Sequence, residues 1–341
     1  MHCLSALLLF GICATTLAQL TNTQYDVIII GGGPSGLSAA SGLSRVLRKV
    51  ALFDSGEYRN NSTRHMHDVI GSDHVVPAEF RAAARSQIAF YNTTTFIDET
   101  VVSLSPTAPG VFTATIANGS SYSARKVILG SGLKDDLPPV PGLREAFGKG
   151  IYWCPWCDGF EHREQTIGVL GNLSDAYDSD IRIFANGTNS TAQLSRIAGK
   201  NPKWSAVFSA YNITVNNNAI INITRVQSGE DVHDQAVRKE FDRFRVYFTD
   251  GSNDEVGAFM CNYGTSQASS LPDQLGVRMI GGKIDTTAPG LRTTVQVELA
   301  SEELAQIGSN STKRTAVPDM DHVEREMGRT VEDIYHGLRM A

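Results

Sequence analysis

Two thiols and a carboxylate stand together in Cys154-Pro155-Trp156-Cys157-Asp158-Gly159. Thiols separated by two residues can close into a small disulfide and reopen, and only the thiolate attacks sulfur. Pro155 stiffens the turn. Asp158 can move a proton to or from a sulfur, or serve only as a turn or helix-cap residue. Half of a zinc site and a structural staple compete with the redox reading. A zinc site calls for a second pair of ligands at short spacing, and the other downstream cysteine, Cys261, stands alone. Redox chemistry is the preferred reading because of what lies upstream.

Upstream, Tyr25-Asp26-Val27-Ile28-Ile29-Ile30 is an apolar, β-branched run that predicts a buried parallel strand. Gly31, Gly33 and Gly36 follow at GxGxxG spacing, with Pro34 and Ser35 between them. Leu37 to Leu47 has helical spacing, and Lys49 to Phe53 predicts a second strand ending in Asp54. Glycines allow a tight turn and close backbone approach, and a helix N-terminus attracts a pyrophosphate. Asp54 stands where an acid would accept hydrogen bonds from a ribose.

With 341 residues, the chain has room for two cores. A net charge of −6 gives no footprint for nucleic acid or an anionic membrane. Leu4 to Leu17 is an apolar run too short for a comfortable membrane span. Thr16-Leu17-Ala18 fits a small-x-small cleavage rule, so residues 1–18 are expected to be a signal peptide cut near Ala18. Ten N-x-S/T sequons (Asn60, Asn61, Asn92, Asn118, Asn172, Asn186, Asn189, Asn212, Asn222 and Asn310) agree with a secreted or secretory-pathway glycoprotein. Cleavage would remove Cys3 and Cys13, and Cys261 beside Met260 is expected to be a buried apolar thiol.

Pro77 to Tyr91 predicts a helix, while Thr95–Ser105, Val111–Ala117 and Ser121–Leu129 predict successive strands with a hairpin turn at Asn118-Gly119. Gly130-Ser131-Gly132 then repeats the strand-into-small-residue theme before Pro138-Pro139-Val140-Pro141-Gly142, which suits a crossing to a second domain.

Together, Gly31-Gly32-Gly33-Pro34-Ser35-Gly36, the Gly130-Ser131-Gly132 turn with its proline-rich linker, and Cys154-Pro155-Trp156-Cys157-Asp158-Gly159 resemble the low-molecular-weight thioredoxin reductases, class II pyridine nucleotide-disulfide oxidoreductases. Through Asp54 to Asn60 and His65-Met66-His67 the chain is more similar to fungal thioredoxin-reductase-like enzymes, some of which oxidise dithiols of the gliotoxin type. The resemblance covers most of residues 24–295. It implies an α/β fold of two Rossmann-like three-layer domains. An FAD domain (19–148 plus 276–341) is split by an inserted, shortened NAD(P)-type domain (149–275) carrying the CxxC. A homodimer is the usual assembly. By position, Gly31, Gly33, Pro34, Ser35 and Gly36 would cradle the FAD pyrophosphate and Asp54 would hold the adenosine ribose. Gly130 and Ser131 would pass close to the cofactor, and Ser55, Arg59 and Val102 complete the cofactor set. Cys157 would face the flavin, Cys154 would meet the substrate, and Asp158 would handle the proton. His67 and His162 are polar residues near this site, each read as a surface or packing histidine.

Two departures from that pattern bear on activity. Gly171-Asn172-Leu173-Ser174-Asp175-Ala176 lacks the second glycine of a nucleotide turn, and the next strand (Asp180–Ala185) begins nine positions after Gly171. Asn186-Gly187-Thr188, not an arginine pair, follows it, so NADPH binding is expected to be impaired or absent. After Val295 the family's strand ending in Gly-Asp is replaced by Gln296 to Leu304, and no Gly-Asp follows. That removes a charge-assisted contact to the flavin worth roughly 1.5–3 kcal/mol. The expected function is an FAD-dependent thiol/disulfide oxidoreductase that passes electrons from a small-molecule dithiol through the cysteines and FAD to oxygen, in secondary metabolism. The alternatives are an NADPH-dependent reductase of a thioredoxin-like protein, and a degenerate homologue with weak FAD binding and no turnover. No metal is expected.

Overall fold

The computed structural model describes residues 23–171, 181–184, 213–286 and 293. The expected signal peptide, residues 172–180 of the shortened turn, the Asn186-Gly187-Thr188 turn and the segment from Gln296 onward lie outside them. By contacts the chain divides into two units, 1–107 with 111–295, and 108–110 with 296–341. The elements that build the site belong to the first.

Strand β1 (Tyr25–Ile30) enters helix α1 (Pro34–Arg45), which returns to β2 (Val50–Phe53). Helix α2 (Pro77–Ala89) leads to β3 (Thr94–Ile97), followed by β4 (Val101–Ala108), β5 (Val111–Ile116) and β6 (Ser121–Leu129). They form one sheet in the order β3-β2-β1-β6-β5-β4. Strands β3, β2, β1 and β6 run parallel, and β5 is antiparallel to β6. The alternation of side chains along a strand explains its two cores. Val27 and Ile29 face Leu37, Ala40 and Ile88 of the helices, while Ile28 and Ile30 face Leu104, Ala114 and Ile116. Each buried isoleucine contributes about 1.5–3 kcal/mol.

The expected single strand over 95–105 is two strands at opposite edges of this sheet. Glu99 N–H donates to Ile97 O at 2.9 Å, tightening a reversal through polar Asp98-Glu99-Thr100 that hydrophobic pattern alone does not reveal. Helix α1 stops before Leu47 because that residue takes φ +57°, an end unmarked by glycine. The Asn118-Gly119 hairpin forms, with Gly119 at φ +89° and Asn118 Oδ1 accepting from Ser120 N–H at 2.9 Å.

A ribbon of β7 (Leu133–Asp135) paired with β18 (Thr265–Gln267) accompanies the chain out of and back to this sheet. Between them lies a five-stranded parallel sheet, ordered β11-β10-β9-β17-β8, made of β8 (Ile151–Tyr152), β9 (Ile167–Gly171), β10 (Ile181–Phe184), β11 (Thr214–Asn216) and β17 (Ala258–Asn262). Strands β12 (Ile220–Gln227), β15 (Arg243–Phe248) and β16 (Asn253–Val256) make an antiparallel sheet whose Ile223, Phe244 and Val246 pack with Ile151, Leu170 and Phe259. A small hairpin of β13 (His233–Asp234) and β14 (Lys239–Glu240) brings Glu240 toward the redox turn. The expected α/β architecture with two Rossmann-like sheets is present. Among the described residues no helix is long and apolar enough to cross a membrane.

Candidate active site

Where β1 meets α1 the backbone is packed too closely for side chains. A Cβ on Gly36 would stand 1.8 Å from Gly31 O, and one on Gly31, at φ +110°, would stand 2.3 Å from Gly130 O. These contacts lock the first turn onto the Gly130 turn, where Gly130 N–H donates to Ile30 O at 2.8 Å. Gly33 at the N-cap faces open space and no side chain caps α1, so first-turn N–H groups are free to meet an anion. A crevice of about 410 Å³ opens here, lined by Gly31, Gly33, Pro34, Ser35, Gly130 and Ser131. The Ser131 hydroxyl is buried in the protein without a hydrogen-bond partner, as expected of a group awaiting a ligand. The glycine cradle, open helix end and orphaned hydroxyl fit a dinucleotide pyrophosphate.

Three residues of the expected cofactor set, Asp54, Val102 and Arg59, have surroundings of their own. Asp54 does not line the crevice: its buried carboxylate accepts from Gly56 N–H (3.0 Å), Tyr58 OH (2.7 Å) and Arg85 (3.1 Å). The acid braces its own loop against Gly32, where a Cβ would meet it at 1.9 Å, and Ser55 and Glu57 line the crevice instead. Val102 points outward, half exposed, and its carbonyl accepts from Gln274; Val101, one residue earlier on the alternating strand, supplies the wall. Arg59 lines the crevice but is clamped to Asp135 through two hydrogen bonds of 2.6 and 2.7 Å and lies over the Trp153 ring at 4.9 Å.

Trp153 joins this crevice to the redox turn. It lines the crevice, stacks on Phe147 at 5.1 Å, and directly precedes Cys154. Cys154 and Cys157 form a closed disulfide with Cα atoms 5.2 Å apart. The short helix α3 (Pro155–Asp158) begins with proline at its first position, and Cys154 O accepts from the N–H groups of Cys157 and Asp158, both at 3.2 Å. Trp156, between the cysteines, is 76% exposed. Asp158 is buried rather than displayed on a turn. Burial first, then the charges of Glu161 and Glu240, push its carboxyl up to about 8, with Arg64 opposing them. It is therefore a proton donor near neutral pH.

Around the turn lies a polar network. The Arg64 guanidinium pairs with Glu240 and with Asp242 (2.8 Å), and donates to Tyr152 OH at 3.2 Å. His162 is fully buried beside Tyr152 OH at 3.4 Å, and burial pushes its ring pKa down, which fits the expected packing role. His67 does not fit a surface role: its Nδ1 bonds the Cys157 carbonyl, and its Nε2 lies 2.9 Å from His74 Nδ1 and 3.2 Å from Glu161 Oε1. Burial, with the nearby His65, Arg238 and His67, holds the His74 ring near 4. Sequence reasoning missed Trp153, Glu161, His74, Arg64 and Tyr152. Only the aromatic before Cys154 and the acid four residues after Cys157 offered a local signal. Cys261 is free and buried, and burial pushes its thiol to about 12, as expected of an inert core thiol.

Beyond His74 a second cavity, about 690 Å³, is lined by Arg64, His65, Lys149, Arg238 and Glu240 among others.

Residues 25–172 match the family described as pyridine nucleotide-disulphide oxidoreductase. The chain is 43% identical over 331 residues to a probable thioredoxin reductase of Arthroderma benhamiae, covering 90% of this chain and 81% of that one. To thioredoxin reductase aclD of Aspergillus oryzae it is 36% identical over 197 residues, covering 53% of this chain and 62% of that one. The fold is shared with the structure of a putative thioredoxin reductase of Bacillus anthracis, at TM-score 0.66 and 24% identity over 80% of this chain and 87% of that one. The glycine cradle joined through Trp153 to a closed CxxC disulfide, and these likenesses, lead to one conclusion: the chain belongs to the thioredoxin-reductase-like pyridine nucleotide-disulfide oxidoreductases.

Proposed function

We propose that the chain oxidises a small-molecule dithiol at Cys154–Cys157 and delivers the electrons to oxygen. The observation that carries this reading is the closed disulfide, with the proton-bearing Asp158 buried behind it and the apolar Trp156 exposed in front. A substrate thiolate attacks Cys154 Sγ, and Cys157 leaves as a thiolate. The second substrate thiol then attacks its own sulfur in the mixed disulfide, expelling Cys154 and closing the substrate disulfide. Asp158 gives its proton to the departing sulfur and regains one on reoxidation. FAD bound in the glycine crevice would supply a two-electron acceptor that oxygen can restore. The sum is dithiol plus oxygen to disulfide plus hydrogen peroxide. Within the crevice, the Gly31–Gly36 turn, the Gly130 turn and the Ser131 hydroxyl would hold the cofactor.

The proposed division is an FAD domain of 19–148 with 276–341 around a 149–275 insertion. The first sheet drawn wholly from residues 25–129 and the second from 151–262 support it. We take the insertion as a poor NADPH site. Parallel neighbours β9 and β10 are joined by residues 172–180 alone, shorter than the dozen or so residues a βαβ crossover usually takes. The second reading, NADPH-dependent reduction of a thioredoxin-like protein, is favoured by the names of the relatives. Anaerobic rapid mixing separates the two. Bleaching of the flavin by dithiol, with recolouring and peroxide formation in air, supports the oxidase, whereas rapid bleaching by NADPH overturns it. A protein that binds no added flavin is the degenerate homologue that the missing Gly-Asp motif suggests. A homodimer, and secretion after cleavage near Ala18, complete the proposal.

A further inference from the structure

We propose that His67, His74 and Glu161 form a three-ligand site for a divalent transition-metal ion of the zinc class, on the wall of the redox turn. The chain assembles them from separate places. Met66 and Val75 form an isolated bridge, with Met66 N–H donating to Val75 O and His74 N–H to Met66 O, both at 2.8 Å. That bridge holds the two histidines side by side. Glu161 comes from the 3-10 turn Phe160–His162 just after the CxxC.

The ligand atoms of the three residues all lie within 4.8 Å of one another. His67 Nε2 stands 2.9 Å from His74 Nδ1 and 3.2 Å from Glu161 Oε1. Zinc bonds of about 2.0–2.1 Å set tetrahedral ligands roughly 3.3 Å apart, so an ion fits with small ring adjustments. Ring orientation favours it too. The Cys157 carbonyl can only accept, so His67 Nδ1 carries the hydrogen and, in the neutral ring, Nε2 keeps its lone pair. A metal-binding histidine is commonly fixed this way, its second nitrogen donating to a backbone carbonyl. That nitrogen faces both His74 Nδ1 and the Glu161 carboxylate, so the donor atoms of all three residues converge on one point. His74 adds a third donor and lines the 690 Å³ cavity. Two histidines and a glutamate with one open position are a common zinc set. The neighbouring cluster of His162, Glu240 and Asp242 differs because the Arg64 guanidinium already supplies its cation.

The test is equilibrium dialysis of the untagged, flavin-containing, disulfide-oxidised protein against zinc, followed by metal analysis. One equivalent with micromolar or tighter affinity is expected. His74→Ala and the near-isosteric Glu161→Gln should each weaken it at least tenfold. Cys154→Ser/Cys157→Ser should leave it unchanged. Zinc should also raise the melting temperature of the parent protein by mass action, and not that of Glu161→Gln. Stoichiometric zinc absent from the parent protein overturns the proposal, and so does binding that survives either ligand substitution.

Discussion

Replacing Asp158 by asparagine isolates the charge behind the disulfide. The parent carboxyl keeps its proton up to about 8 in the folded chain, against 3.8 when unfolded. Below pH 4 both states are protonated and the group contributes nothing. As pH rises from about 4 to 8, the unfolded chain sheds the proton while the folded chain retains it, so stability falls. The slope is about 1.4 kcal/mol per pH unit, which over this window accumulates to roughly 5 kcal/mol. Asp158→Asn carries no such cost. Its stability relative to the parent should be lowest near pH 4, climb steadily to pH 8, and level off above. The assay is urea unfolding with the disulfide intact, in chelator-containing buffer, at half-unit pH steps. Subtracting the two curves cancels the shared titrations of Glu161 and the histidines. Dithiol turnover should fall about 10²–10⁴-fold in the variant, the usual worth of a positioned proton donor. A stability difference that does not vary with pH would refute the assignment of a protonated, buried Asp158.

Ser131→Ala should leave the flavin-free protein as stable or slightly more stable, because it deletes a buried hydroxyl with no protein partner. Flavin affinity should drop several-fold, in line with a hydrogen bond of about 0.5–1.5 kcal/mol, read by fluorescence titration. Gly36→Ala should cost several kcal/mol or abolish soluble expression, since its Cβ would stand 1.8 Å from a backbone oxygen. Full flavin retention with an unchanged melting temperature would contradict the packing described. Cys261→Ser should leave turnover intact. A thiol reagent at pH 8 should find no reactive cysteine in native, signal-cleaved, oxidised protein and one after denaturation; three after denaturation would show that the leader was retained.

Much of the glycine cradle was legible because its chemistry is local. Gly31, Gly33, Gly36 and Gly130 sit at strand ends, and backbone approach needs no distant partner. The CxxC disulfide was legible for the same reason. The Asp98–Thr100 break was not, because it depends on which sheet edge each strand joins. Nor were the partners of Asp54, because Tyr58 and Arg85 come from its own loop and from α2. His74 meets His67 only through the Met66–Val75 bridge, and Glu240 reaches Arg64 from a hairpin 176 residues away in sequence. Contacts of that range leave no periodicity to read.

Trp153 and Trp156 bracket Cys154, one turned into the crevice and the other into solvent. In the proposed reaction this would set the substrate-facing side of the redox turn apart from its crevice-facing side along a four-residue stretch. Under the proposed function, an exchange at position 156 would alter the face offered to a thiol-bearing compound without disturbing Phe147 and Arg59, which pack on the inner tryptophan, or Asp135, which clamps Arg59. The arrangement makes position 156 a place where a lineage, or an engineer, could diversify substrates while keeping the same redox core.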